Sequence, residues 1–255
     1  MVSQQRGVCF SMVDIPKVIP NVIPGPKPRK APIHIAISTG GIRVWAEENN
    51  RGLDRALEKH LELLDDLVDL QLKHGNSVLT INLAEDDPEI LDGTKEFFKH
   101  LINDERIHNN QVRVFIIGQW YELDLELTEI FKELMEKTKD YDKYFLNFCV
   151  NYDGQEEVLG AIRLIVKKIL ADKLKEEDLT NEVIKQNLYT SYFPPPELII
   201  ETAWKYSGVL LWDAKGALIY FTKKPWLAFE KKEYEKAIRF YNKEVDRLDK
   251  QEEKE

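Results

Sequence analysis

An α/β fold with a central, mostly parallel sheet flanked by helices is what this sequence predicts, and three observations predict it. Short apolar runs of strand length alternate with longer stretches whose apolar residues recur at helical spacing. The strand runs are apolar throughout, as in strands buried on both faces, which points to a parallel sheet covered by helices. A length of 255 residues suffices for one large domain without a second core.

Residues 1–32 stand apart as a proline-rich N-terminal arm, punctuated by Pro16, Pro20, Pro24, Pro26, Pro28 and Pro32, with the near-repeat Ile15-Pro-Lys-Val-Ile-Pro-Asn-Val-Ile-Pro24. Proline at this density blocks helix and favours extended polyproline II. Two readings follow: a tether, or an arm whose Val18, Ile19, Val22 and Ile23 dock on an apolar surface.

The folded region is expected over residues 33–248. Ile33–Ser38 reads as a buried strand. Asp54–His74 reads as a helix, with Asp54 as cap, apolar residues at Leu57, Leu61, Leu64 and Val68, and Gly75 at the end. Val78–Leu83 is a strand, 92–103 a helix, Val112–Ile117 a strand, and 124–138 a helix. Tyr144–Val150 is a strand and Glu156–Ala171 a helix. Leu198–Ile200, Val209–Leu211 and Leu218–Phe221 are short strands. The last helix spans 230–248, with Tyr234, Ala237, Ile238, Tyr241, Val245 and Leu248 on one face. Residues 249–255 form a polar, frayed tail.

A net charge of −9 disfavours nucleic acid as a partner, since phosphate backbones are held by clustered Lys and Arg. Two cysteines, Cys9 and Cys149, cannot make a disulfide framework, and Cys149 reads as a small buried hydrophobe. No apolar run approaches a membrane span. The expected location is the cytoplasm, with docking on a membrane surface through an apolar patch left open.

Two late stretches carry the most information: Leu146-Asn-Phe-Cys-Val-Asn-Tyr-Asp-Gly-Gln-Glu-Glu-Val158 and Leu188-Tyr-Thr-Ser-Tyr-Phe-Pro-Pro-Pro-Glu-Leu-Ile-Ile-Glu201. They resemble the N-Y-G-G-R-x-E-I and L-Y-T-x-x-x-P-x-P-D-L-L-I-R-T-S-G-E runs of the cis-prenyltransferase family, which includes undecaprenyl diphosphate synthase. The resemblance continues in order. His34-Ile-Ala-Ile37 is similar to the family's H-V-A-I, Trp45-Ala46 to its W-A, and Arg51-Gly-Leu-Asp-Arg55 to its R-G-x-x-R. Val112–Gly118 is similar to its V-R-x-x-x-I-G, and Tyr220-Phe-Thr222 with Trp226 to its Y-F-T and later Trp. The resemblance implies a non-Rossmann sheet with a hydrophobic cleft beside the helices at 54–74 and 92–103. It also implies condensation of isopentenyl diphosphate onto an allylic diphosphate. That chemistry needs Mg²⁺, a carboxylate to hold it, arginines for the phosphates and an apolar tunnel.

The chain departs from the family where that chemistry sits. The family's M-D-G-N-G-R-W-A, whose Asp holds the metal, is here Thr39-Gly-Gly-Ile-Arg-Val-Trp-Ala46. An ungapped alignment puts Gly40 at the Asp; a shift by one puts Thr39 there and recovers Arg43 as the Arg. The family's A-F-S-T-E-N-W is replaced by Leu83-Ala-Glu-Asp-Asp-Pro88, read as a solvated turn. Its R-T-S-G-E-x-R-x-S becomes Glu201-Thr-Ala-Trp-Lys-Tyr-Ser207. An Arg–phosphate contact at 4 Å is worth roughly 4 kcal/mol at an effective dielectric near 20, so Glu201 is expected to repel a diphosphate. The C-terminal R-x-G is absent.

The expected site is therefore a degenerate diphosphate site of Gly40, Gly41, Arg43, Arg51 and Arg55, with no catalytic residue, no metal ligand and no retained cofactor. Arg55 either contacts a phosphate or pairs with Glu58 and Glu62. His60 reads as a helix-surface residue. Asn151, Tyr152 and Glu157 read as a strand–helix junction. Trp204, Tyr206 and Tyr192 are candidates to line a mouth. The function expected is that of a non-catalytic subunit of a heteromeric cis-prenyltransferase making long-chain polyprenyl diphosphate. The alternatives are an isoprenoid-processing enzyme with an altered site, or a polyprenyl-lipid-binding scaffold. The partner expected is an active family subunit, or a second copy in a homodimer, joined through residues 200–230, with an isoprenoid chain as a further ligand.

Overall fold

The computed structural model describes residues 31–84 and 87–252. Six strands form one sheet: β1 (His34–Ser38), β2 (Val78–Asn82), β3 (Val112–Ile117), β4 (Tyr144–Cys149), β5 (Leu198–Glu201) and β6 (Leu218–Phe221). Their order is β3-β4-β2-β1-β5-β6, and every pairing is parallel. Each residue of β1, β2 and β5 is buried, which is why these strands read as continuous apolar runs.

The connecting helices are α1 (Ile42–Glu48), α2 (Leu53–His74), α3 (Pro88–Gly93), α4 (Lys95–Leu101), α5 (Glu105–Asn109), α6 (Leu125–Thr138), α7 (Gly154–Leu170), α8 (Asn181–Lys185) and α9 (Lys231–Glu252). Their ends follow local chemistry. Asp124 caps α6 by accepting from Leu127 N–H, and Asp153 caps α7 by accepting from Gln155 and Glu156 N–H. Gly75 ends α2 at φ 69°, donating to the carbonyls of Gln71 and Leu72.

Alternation along the strands divides the core. Ile35, Ile37, Leu79, Ile81, Leu146, Phe148, Leu198 and Ile200 face one way, onto a layer with Leu64 and Val68 of α2, Phe98 of α4, Phe131 of α6 and Tyr234 of α9. Phe98 anchors it edge-on to Phe131 at 4.8 Å and to Phe148 at 5.0 Å. On the opposite face Ala36 and Ile199 meet Val209 and Leu210, while Val78, Phe145 and Cys149 meet Phe193. α7 lies over this second face; its Gly154 fits against the carbonyl of Gly208, which an added Cβ would approach to 2.2 Å.

Several expectations need correction. The helix expected over 92–103 is two helices, α3 and α4, divided at Thr94, whose hydroxyl donates to the Leu91 carbonyl at 2.6 Å. Val209–Leu211 is a turn rather than a strand: Leu210 has φ 51°, and its N–H donates to the Tyr152 hydroxyl at 3.1 Å. Gly52, not Asp54, precedes the first residue of α2. The terminal helix runs on to Glu252, into the stretch expected to fray. Residues 1–30 of the arm, with the docking set Val18, Ile19, Val22 and Ile23, and residues 253–255 lie outside the described residues.

Candidate functional site

The C-terminal ends of β1, β2 and β5 meet at one edge of the sheet, the edge at which open α/β sheets bind ligands. Thr39 follows β1; its N–H and hydroxyl both donate to the Asn82 carbonyl, at 2.8 and 3.1 Å. The hydroxyl is therefore spent on the β2 end. Gly40 follows at φ 145°, and Gly41 at φ 69° is the residue from which α1 begins. A Cβ on Gly40 would stand 2.8 Å from the Ala84 carbonyl oxygen, so the loop has both the backbone and the space of a glycine. Nothing stands within 4 Å of a Cβ placed on Gly41.

The three arginines expected beside these glycines have different fates. Arg43 binds two carboxylates of the next crossover: Nε donates to Asp87 at 2.6 Å and Nη2 to Glu89 at 2.9 Å. Asp87 in turn caps α3, accepting from Glu89 N–H at 3.0 Å. Arg43 thus ties α1 to α3 rather than presenting a free guanidinium. Of the acidic run read as a solvated turn, Asp87 is this cap, while Glu85 and Asp86 lie outside the described residues. Arg55 is exposed and pairs with Glu58 one turn along α2, the surface alternative of its two readings. Arg51 is exposed in the turn before α2, with its N–H on the Ala46 carbonyl.

Glu201 overturns the expectation of a carboxylate facing a ligand. It is 1% exposed, and its side chain points to the α7 side of the sheet, where Ser207 donates to Oε1 from N–H at 2.9 Å and from its hydroxyl at 2.8 Å. Burial raises its pKa, and the two Ser207 bonds work against that rise. Oε2 is buried without a partner.

His60 is another correction. It is 1% exposed, and its Nδ1 accepts the Trp226 indole N–H at 2.7 Å, which fastens α2 to the turn before α9. Burial lowers its pKa to about 3. The partner lies 166 residues away, so no local pattern announces it.

The proposed mouth does not assemble. Trp204 follows β5 and is exposed, whereas Tyr192 precedes β5 and packs with Phe115 and Phe145 at the other end of the sheet. Tyr206 donates to the Val209 carbonyl at 2.5 Å. The junction does assemble: Tyr152 donates to Glu157 Oε2 at 2.6 Å, Asn151 donates to the Gln119 carbonyl at 3.2 Å, and Thr190 N–H donates to Glu157 Oε1 at 3.2 Å. Burial raises the Glu157 pKa and, first among its causes, that of the Cys149 thiol.

Sequence reasoning missed two buried polar networks. His34 donates from Nδ1 to the Pro194 carbonyl at 2.7 Å and accepts at Nε2 from the Thr80 hydroxyl at 2.8 Å, which itself accepts from Asn147 at 3.0 Å. Burial lowers the His34 pKa to about 4. Lys185 donates to Asp213 and to the Thr190 carbonyl, and Thr190 donates to the same carboxylate at 2.7 Å. A third grouping, Asp65, His100 and Asp104, has the spacing of metal ligands. Arg106 already sits among those carboxylates, reaching Asp65, Asp69 at 2.7 Å and Asp104 at 2.6 Å, and offsets part of their charge.

The family model described as "Putative undecaprenyl diphosphate synthase" matches residues 39–249. The chain belongs to the cis-prenyltransferase family. An isoprenyl transferase of Thermotoga maritima is 32% identical over 230 residues, covering 86% of this chain and 97% of that one. A "tritrans,polycis-undecaprenyl-diphosphate synthase (geranylgeranyl-diphosphate specific)" of Methanocaldococcus jannaschii is 29% identical over 236 residues, covering 86% and 83%. Among solved structures, lavandulyl diphosphate synthase of Lavandula x intermedia superposes with a TM-score of 0.76 at 21% identity, covering 84% of this chain and 96% of that one. A probable undecaprenyl diphosphate synthase of Campylobacter jejuni gives 0.61 at 22%, covering 82% and 95%. The two structures show the fold: a parallel six-stranded sheet flanked by helices.

The resemblance implies a hydrophobic cleft beside α2, the helix whose Leu64 and Val68 enter the main core. Leu53, Leu57 and Leu61 are half-buried on α2, packed against the main core. Gly93 of α3 brings the two helices together there, since a Cβ on it would fall 2.0 Å from a Leu57 methyl.

Proposed function

We propose that this chain is a cis-prenyltransferase-family subunit that does not itself condense isoprenoid diphosphates and works beside an active subunit of the same fold. The observation that carries the reading is the Gly40 loop. In the ungapped alignment the metal carboxylate falls at Gly40, whose backbone conformation and neighbouring carbonyl suit glycine; in the alignment shifted by one it falls at Thr39, whose hydroxyl is bound to the Asn82 carbonyl. Arg43, and Glu201 where the family has an Arg, are bound to internal partners, while Arg51 and Arg55 of the expected site are exposed. The donor set therefore does not fit a family-type Mg²⁺–diphosphate site, and no step is assigned to that ion here.

For pairing we favour α7 over the expected stretch of residues 200–230. Val209, Leu210, Trp226, Leu227 and Phe229, within residues 200–230, are buried in the chain's own core. Trp204, Leu211 and Phe221 of that stretch are exposed, and a longer row of exposed apolar residues lies on α7, where Leu159, Ile162, Val166 and Leu170 recur at helical spacing and are 38%, 46%, 46% and 81% exposed. Glu156 lies near the start of this stripe and Lys167 near its end, so an antiparallel pairing of two such helices sets opposite charges together. A second copy fits this face by the same argument as an active relative does. Among the described residues no helix is long and apolar enough to cross a membrane.

The test is incorporation of labelled isopentenyl diphosphate with Mg²⁺ and either farnesyl or geranylgeranyl diphosphate, the latter because curated relatives bear it in their names. The chain alone is expected to incorporate nothing. Co-expressed with an active relative, it is expected to copurify, and Ile162→Glu to release it. Robust incorporation by the chain alone sinks the reading. It would favour the alternative of an enzyme with an altered site, to which the partnerless Oε2 of Glu201 and the synthase names of the relatives also point.

A further inference from the structure

A groove of about 510 Å³ opens where the strands begin, at the end of the sheet opposite the Gly40 loop. Tyr192, Phe193, Pro194, Pro195 and Trp212 form its walls, with Asn181 at the rim. The wall is stiff. Tyr192 packs edge-on to Phe193 at 5.3 Å and against Phe115 at 5.6 Å, and the Arg113 guanidinium lies 5.7 Å from the Tyr192 ring centre. The buried Lys185–Asp213 pair closes the floor.

The chain enters the fold beside this groove. Asn76 donates to the Pro32 carbonyl at 2.7 Å, Ile33 N–H donates to Glu197, and His34 donates to the carbonyl of Pro194, itself a groove wall, at 2.7 Å. Everything upstream of Ala31 starts from that point.

We propose that the groove binds the chain's own proline-rich segment, residues 15–30, with the rings of Pro24, Pro26 and Pro28 stacked on Tyr192 and Trp212. Three arguments carry it. The first is chemistry: polyproline segments are recognised by aromatic-lined grooves, because their extended form is set before binding and little entropy is lost. The second is reach. At ~3.1 Å per residue a polyproline II stretch has a reach of ~12 Å over four residues and ~25 Å over eight, the separations of Pro28 and Pro24 from Pro32 in the sequence. The third is charge. Residues 1–30 hold five Lys or Arg and one Asp, in a chain of net charge −9. The groove itself is lined by Glu182 and Asp213 and by Lys185 and Lys215, so the complementarity is that of the arm with the rest of the chain rather than with the lining. A short tether also supplies an effective concentration on the order of mM, so even weak recognition fills the groove.

The test uses the full chain with Cys9→Ser and an engineered pair, Pro26→Cys with Ser191→Cys, on the groove rim. Mild oxidation at low protein concentration is expected to give an intramolecular disulfide, seen as a shifted monomer band on a non-reducing gel. It should form at least ten-fold faster than with Pro26→Cys and Trp204→Cys, at the opposite end of the sheet. A second set adds Pro20→Ala, Pro24→Ala and Pro28→Ala, which change no residue of the described fold and should slow the bond at least ten-fold. Equal rates for the two cysteine pairs, or no effect of the proline changes, overturns the proposal. A bond that forms only between two copies also overturns it, and assigns the groove to a neighbour's arm.

Discussion

Gly40→Asp restores the first-loop carboxylate where the ungapped family alignment places it, and the structure says what that change costs. At φ 145° a residue with a side chain is strained, a penalty of about 1–3 kcal/mol. The new Cβ also meets the Ala84 carbonyl oxygen at 2.8 Å. Ala84 cannot yield freely: it is itself at φ 31°, and its N–H donates to Asn82 Oδ1 at 3.3 Å. Relieving the overlap costs about another 1–3 kcal/mol, as for overpacking elsewhere. The sum, about 2–6 kcal/mol, is a large share of the ~5–15 kcal/mol that a typical domain has. Urea unfolding of Gly40→Ala separates the backbone and Cβ cost from the new charge. Gly41→Ala is the companion, expected to lose less because no atom lies within 4 Å of its Cβ. Gly40→Asp should also gain no prenyl transfer, since Arg43 stays engaged with Asp87 and Glu89. A Gly40→Asp protein within 0.5 kcal/mol of the parent, able to incorporate isopentenyl diphosphate with Mg²⁺ (threshold set at roughly the spread of ordinary surface substitutions), refutes the reasoning. The loop would then tolerate the carboxylate, and the departure from the family would be one residue deep.

Two further expectations concern stability. His34 and His60 are held neutral, with pKa values of about 4 and about 3 against an ordinary 6.5. The unfolded chain binds more protons between those values, so stability is full above pH 6.5 and falls as pH drops. The loss reaches about 3 kcal/mol for each histidine by pH 4. His60→Asn keeps an acceptor for Trp226 but cannot titrate, so its unfolding midpoint should fall less steeply between pH 6.5 and 4; an unchanged slope rejects His60 as a source. Lys185→Met leaves Asp213 buried with only Thr190 as donor and should cost about 3–5 kcal/mol in urea unfolding, whereas a loss below 1 kcal/mol would mean that the carboxyl is readily neutralised.

The sheet was legible because its signal is local and strong. Strands buried on both faces show as apolar runs, and all but one of the expected strands stand within a residue or so of their positions. Val209–Leu211 failed for want of length: three apolar residues do not separate a strand from a buried turn, and the Tyr152 bond that fixes the turn comes from 58 residues away. The helix expected over 92–103 carried a missed signal of its own. Asp87-Pro-Glu89 is an N-cap followed by proline at the first helical position, a helix start read as a plain turn. α1 was also in reach, since Ile42, Trp45 and Ala46 follow helical spacing after Gly41. His60 was not, because its burial depends on a tryptophan beyond five of the six strands.

The site shows how far a motif carries. Family alignment pointed to the loop, the arginines and the β5 end, but charge alone misjudged what Arg43 and Glu201 do. Glu201 was expected to repel a diphosphate as a free carboxylate; the alternation of β5 turns it instead to the α7 face, into the bonds of Ser207. Arg43 was expected to be available; it has carboxylates on α3. These two facts bear on the proposed function together. A site that had merely lost one residue would leave its remaining groups aimed at a missing ligand, and buried polar groups without partners are costly. Here Arg43 is engaged by Asp87 and Glu89, Thr39 by Asn82, and one oxygen of Glu201 by Ser207, while Gly40 packs against Ala84. For these buried and half-buried groups, contacts within the chain stand where the resemblance implies contacts to a ligand, while Arg51 and Arg55 of the expected site stay exposed. That substitution of internal partners for external ones supports a subunit kept for its fold and its surfaces. The one group outside the pattern, Oε2 of Glu201, is where an altered chemistry would have to begin.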